Sequence, residues 1–125
     1  MGRKESAEEE QSEAYGIRDG KMIRSDPQPV QLDLNNPVFQ RQLFRLQKKD
    51  QGKVLGILQK LMEMNWDQVY SDRGLKWELV LSRSGPKGNR LYSFRLGEGF
   101  RCVAYREGNW LRLLSLHPDH DSAYQ

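Results

Sequence analysis

The sequence predicts an α+β domain: an N-terminal strand and a helix hairpin, then antiparallel strands forming a small sheet with the helices on one face. Three observations predict it. Apolar residues recur at helical spacing between positions 37 and 64, they alternate with polar ones beyond position 74, and turn signals punctuate the alternating runs. A chain of 125 residues closes one modest core and leaves little for a second.

The first strand is Pro29–Leu34, PVQLDL, in which Val30, Leu32 and Leu34 alternate with polar neighbours. Asn36 then stands where a helix N-cap is needed, and Pro37 at the first helical position, where its missing N–H costs nothing. Phe39, Leu43 and Leu46 form the buried stripe of that helix, and Arg41, Arg45 and Lys48 face water. Asp50 and Gly52 are expected to interrupt it. A second helix follows from about Gly52 to Met64, with Val54, Leu58, Leu61 and Met62 inward and Ile57 widening the stripe. Gly56 inside this helix costs about 1 kcal/mol relative to alanine, which suggests a close helix approach or a shifted boundary.

After Asn65-Trp66-Asp67 the period becomes two. GLKWELVLS, beginning at Gly74, places Leu75, Trp77, Leu79 and Leu81 on one face of a second strand. Ser84–Asn89 is a loop that exposes Arg83, Lys87 and Arg90 at its rim. Trp66, Trp77 and Trp110 each adjoin an apolar stripe and read as core or rim.

LYSFRLGEGFRCVAYRE, residues 91–107, is a hairpin with two competing registers. A two-residue loop at Glu98-Gly99 sets Arg95 opposite Cys102 and turns Arg101 toward the core. A three-residue loop, with Gly99 left-handed in a G1 bulge, pairs Leu96 with Phe100, Arg95 with Arg101 and Phe94 with Cys102. The second register sorts every side chain, and it stands two arginines together. Like charges directly opposite cost stability, so either an anion sits between them or they splay into solvent and pair with Glu98 and Glu107. WLRLLSLH continues as the last strand and ends at His117, so HPDHDSAYQ hangs from a strand end. Periodicity does not settle how far His120 lies from the arginines.

Charge divides unevenly. Residues 1–28 hold 5 basic and 7 acidic side chains and little periodic apolar content, the pattern of a flexible N-terminal tail; residues 29–125 hold 15 and 10, net +5. A basic domain favours an anionic partner such as nucleic acid or an acidic protein. The single cysteine, Cys102, excludes an intramolecular disulfide, and there is no apolar run fit for a signal h-region or a membrane span, so a cytoplasmic protein with no membrane contact is expected. MGRKES matches an acylation pattern, but an acidic run follows where a second, polybasic anchor would be needed.

The run LYSFRLGEGFRCVAYREG, then a final strand and a terminal His-Asp-x-x-Tyr, resembles the RelE/ParE toxin superfamily of toxin-antitoxin systems, in particular its RelE- and HigB-like mRNA interferases. The resemblance spans residues 30–125 and rests on element order and on Tyr92, Ser93, Arg95 and Arg101, which match Tyr-Ser-x-Arg-(x)5-Arg. It implies a RelE-like fold and a metal-independent endoribonuclease that cleaves mRNA on the ribosome, without a small-molecule cofactor, and is neutralised by a cognate antitoxin protein. In that chemistry the ribose 2'-OH attacks the adjacent phosphate, which calls for a base, cations on the phosphate and an acid at the leaving oxygen. Arg95 and Arg101 fall at the family's basic positions. His120 is the proton-transfer candidate, since an unperturbed pKa of about 6.5 suits pH 7. Tyr124 matches the late tyrosine that orients a base, while Lys87, Arg90, Ser93 and His117 are placed as RNA contacts. Where several relatives carry a lysine two residues before the third-strand basic position, this chain has Ser93. A ParE-like gyrase inhibitor and a catalytically inactive RelE-fold protein are the alternatives. His117, Asp119, His120 and Asp121 as metal ligands are a further one, at a spacing only loosely diagnostic off a regular helix.

Overall fold

Asn36 caps as its position requires: its Oδ1 accepts from the N–H groups of Val38 at 2.8 Å and Phe39 at 3.3 Å, so α1 spans Pro37–Arg45. These features come from a computed structural model that describes residues 15–18, 21–24 and 28–119 of the chain. Phe39 is fully buried and Leu43 and Leu46 pack against the core, as the stripe predicted.

The break between the first two helices falls earlier than expected. Leu46 and Gln47 are extended and α2 runs Lys48–Met62, so Asp50 and Gly52 lie inside its first turns. Asp50 is favourable there, because a carboxylate near a helix N-terminus meets the positive end of the dipole. Gln51 Nε2 donates to the carbonyl of Leu43 at 2.9 Å, adding a second donor to an acceptor that already takes the Leu46 N–H at 3.2 Å and so tying α2 to the end of α1. Val54, Leu58 and Leu61 are buried, but Met62 is 57% exposed. A Cβ on Gly56 would meet nothing within 4 Å, so no close helix approach explains that glycine.

A third helix, α3 at Trp66–Ser71, was not expected. Its signal was a capping box: Asn65 Oδ1 accepts from Gln68 N–H and Gln68 Oε1 accepts from Asn65 N–H, both at 2.9 Å. Six residues are too few for a period to show. The strand after it also differs. β4 is Glu78–Ser84 and buries Val80, while Leu79 and Leu81 are exposed. Leu75 and Trp77 belong instead to the connection from α3, where Lys76 has φ 47. That left-handed residue shifts the phase of the alternation, which no count of apolar residues registers.

In chain order the remaining strands are β1 (Tyr15–Arg18) and β2 (Lys21–Arg24), then β3 (Gln31–Asp33), β5 (Arg90–Gly97), β6 (Phe100–Glu107) and β7 (Trp110–His117). β1 and β2 form an antiparallel pair of their own within the segment expected to be a tail. The others join β4 in a five-stranded sheet of order β3-β7-β6-β5-β4, antiparallel except for the parallel pairing of β3 with β7. Arg112 on β7 clamps that junction, with Asp33 at 2.6 Å and Glu107 at 2.9 Å. A backbone N–H from Asn35, together with Arg112, holds the Asp33 carboxyl below its usual range.

Both faces of the sheet bury apolar side chains. Phe94, Leu96, Cys102, Ala104, Leu113 and Leu116 meet the three helices in the main core. On the other face Val80, Leu91, Val103 and Tyr105 form a smaller cluster with Leu114. Trp66 is buried, with Arg106 over its ring at 4.4 Å, and Trp110 is 41% exposed at the rim. Among the described residues no helix is long and apolar enough to cross a membrane.

Candidate functional site

The β5–β6 turn decides which side chains meet. Gly99 has φ +67, and the register shifts between Arg95 and Gly97, the signature of a bulge closed by a left-handed glycine. Arg95 therefore pairs with Arg101, and Phe94 with Cys102, as the three-residue loop predicted; Phe100 lies opposite Gly97 instead of Leu96. On the next strand Arg101 pairs with His117. Arg95, Arg101 and His117 thus form one row across β5, β6 and β7, on the face away from the helices. Ser93, Val103 and Ser115 form the neighbouring row.

The two arginines do not splay, and neither pairs with Glu107, which is held by Arg112. Arg101 is only 3% exposed. Its Nε donates to Ser93 Oγ at 2.8 Å, and Nη2 donates to the carbonyls of Ser93 at 3.0 Å and of Lys76. Glu78 Oε2 lies 3.9 Å from Nη2, beyond hydrogen-bond reach. The protein thus engages Nε and Nη2 of this guanidinium. Arg95 is half-buried, its Nε donating weakly to the Gly97 carbonyl at 3.3 Å.

Around these groups lies a cleft of about 220 Å³, whose charged lining is Lys76, Arg95 and Arg101 against Glu78 and Glu98. Three cations facing two carboxylates, with Arg101 held in place by the protein, make a site for a small anionic group. Guanidinium donors in a fork match the oxygens of a phosphate.

His117 adds an acid-base group. Its Nε2 is 2.8 Å from Ser115 Oγ, and burial, helped by the nearby positive charge of Arg83 and opposed by Asp119, lowers its pKa. The imidazole is consequently neutral at pH 7. Ser115 also borders a groove of about 310 Å³ between the start of α1, the Arg83–Pro86 segment and Leu114.

Ser93 is fully buried and acts as the acceptor that orients Arg101, so it offers no surface to a ligand directly. Lys87 and Arg90 are exposed but stand apart from the cleft. Arg90 is five positions before Arg95 on β5, about 16 Å at the rise of a strand. His120 and Tyr124 lie outside the described residues, as does Asp121. Among the described residues no group of three or more His, Cys, Asp or Glu is arranged to hold a metal.

Lys76, Arg83 and Ser115 were not singled out as site residues. Lys76 read as the polar side of a strand and Arg83 as a loop cation. Both become neighbours of the row only through the bend that opens β4 and the path of its far end.

The chain is similar to a chain of the archaeal RelE-RelB complex from Pyrococcus horikoshii, with 18% identity and a TM-score of 0.49 over 74% of this chain and 96% of that one. At that level the likeness bears on neither activity nor partners. No protein-family model and no curated protein matches the sequence.

Proposed function

We propose that the chain is the toxin of a toxin-antitoxin pair and works as an endoribonuclease on mRNA, with the ribosome arranging the substrate. The observation that supports it is the row Arg95, Arg101 and His117 on one sheet face, in which the two arginines hold positions that carry the resemblance to RelE-like interferases.

Cleavage proceeds by attack of a ribose 2'-OH on its own adjacent phosphorus. The new O–P bond forms as the bond to the 5'-oxygen breaks, leaving a 2',3'-cyclic phosphate and a 5'-hydroxyl. Arg95 and Arg101 neutralise the charge that builds on the non-bridging oxygens. A buried guanidinium already held by Ser93 and Lys76 needs little reorganisation to do so. Neutral His117 is suited to take the 2'-OH proton, and His120 to supply one to the leaving oxygen, with Tyr124 orienting a base. Lys87 and Arg90 contribute long-range attraction for the RNA strand. The antitoxin is an acidic or amphipathic protein that covers this face.

A second reading is a relative that kept the fold and lost catalysis. The commitment of Arg101 to protein oxygens, and a serine in place of the lysine of several relatives, favour it. A gyrase-binding toxin would need neither histidine.

Primer extension on cellular mRNA after a short pulse of expression separates these readings. In-frame cuts with wild type that vanish in Arg101→Lys and His117→Ala support the nuclease. Intact mRNA with wild type refutes it, and growth arrest despite intact mRNA points to the gyrase class.

A further inference from the structure

We infer that Lys76 is a third phosphate-binding cation of this site, and that its left-handed backbone is retained because it carries the lysine to the cleft. The inference rests on the reading of this face as an RNA-binding surface.

The ladder between β4 and β5 pairs Glu78 with Ser93, and beyond its end the Arg95 N–H donates to the Leu75 carbonyl at 2.7 Å. That bond is offset by one residue from the register of the ladder, so the left-handed Lys76 breaks the pairing while the connection still runs alongside β5 at the Arg95 end of the row. Lys76 is exposed, lines the cleft with Arg95 and Arg101, and its own carbonyl accepts from Arg101 Nη2. The ion pairs among the described residues do not include its ammonium.

At φ 47 a residue with a Cβ is strained, and glycine or asparagine is the ordinary occupant. Lysine gains nothing there from packing, since it is exposed. A need for its charge at that spot explains the choice, and Arg101 supplies the anchor that holds the strained peptide in place. One guanidinium then does two things: it lines the cleft and fixes the backbone that delivers Lys76.

The test is anisotropy titration of the full chain with a short single-stranded RNA carrying 2'-O-methyl groups throughout, which binds without being cut. Wild type, Lys76→Gly, Lys76→Arg, Arg101→Lys and Lys49→Gln are compared across a series of salt concentrations. Lys76→Gly is expected to bind roughly five-fold more weakly and to reduce the slope of log K against log salt by about 0.7, one phosphate contact. Its melting temperature stays within about 4 °C of wild type or rises, because glycine relieves the strain. Lys76→Arg and Lys49→Gln keep wild-type affinity and slope. If Lys76→Gly binds with wild-type affinity and slope while Arg101→Lys is weakened, the lysine has no such role and the RNA-binding reading stands. If wild type does not bind the RNA, or Arg101→Lys binds as wild type does, that reading fails and takes this inference with it.

Discussion

Two arginines that look equivalent in FRLGEGFR should differ sharply in what they contribute to stability. Arg101 is nearly sealed from solvent and donates to Ser93 Oγ, the Ser93 carbonyl and the Lys76 carbonyl. Truncation to alanine removes three bonds at about 1 kcal/mol net each. It also removes the packing of a buried aliphatic stem, at about 0.8 kcal/mol per methylene. The loss sums to roughly 3–5 kcal/mol. Arg95 is half-exposed and makes one long bond at 3.3 Å, so Arg95→Ala costs about 0.5–1 kcal/mol. Urea denaturation of both variants measures the gap, expected to be at least about 2 kcal/mol. In melting temperature, Arg101→Ala falls by roughly 12 °C or more for a domain of this size. Equal losses in the two variants, or a neutral Arg101→Ala, would show that the buried guanidinium contributes no net stability and that its assigned role as anchor is wrong.

Three further outcomes follow from the packing. Asn36→Ala removes the acceptor for the Val38 and Phe39 N–H groups and should cost about 1 kcal/mol by denaturant midpoint, with helix content otherwise retained. The Cys102 thiol, fully buried with its pKa pushed up by that burial, should resist a thiol-disulfide exchange reagent in native buffer and react at once in denaturant; rapid native labelling would contradict the placement of β6. Asp33 has a folded pKa below the unfolded value of about 3.9. Its contribution is therefore present above about pH 4 and lost as pH falls through the folded pKa. Asp33→Asn should be less stable than wild type near neutrality and flatten the stability curve on the acid side, and an unchanged curve would argue against the Arg112 clamp.

Much of this protein was legible one residue at a time. The cap at Asn36, the stripe of Phe39, Val54, Leu58 and Leu61, and the pairing of Arg95 with Arg101 all depend on local chemistry: a side-chain oxygen facing free amides, a helical period, a glycine free to turn left-handed. The elements that escaped offered no dependable period, and α3 only the capping box at Asn65 as a local mark. α3 is shorter than two turns, and the phase of β4 is reset by one backbone angle at Lys76.

Sequence by itself favoured two guanidinium groups side by side on the face opposite the core, because of the two hairpin registers only the glycine-closed bulge keeps both charges off the apolar face. Tertiary structure alone decided what surrounds them. That β3 lies parallel to β7 depends on contacts between segments far apart in the chain, which no window of sequence contains, and the irregularity at Val103/Ala104 resets the β6–β7 register that brings His117 opposite Arg101. The same holds for the burial of Arg101 between Ser93 and Lys76: the charge is written at position 101, but whether water or protein meets it is set by how the connection from α3 folds over the end of the sheet.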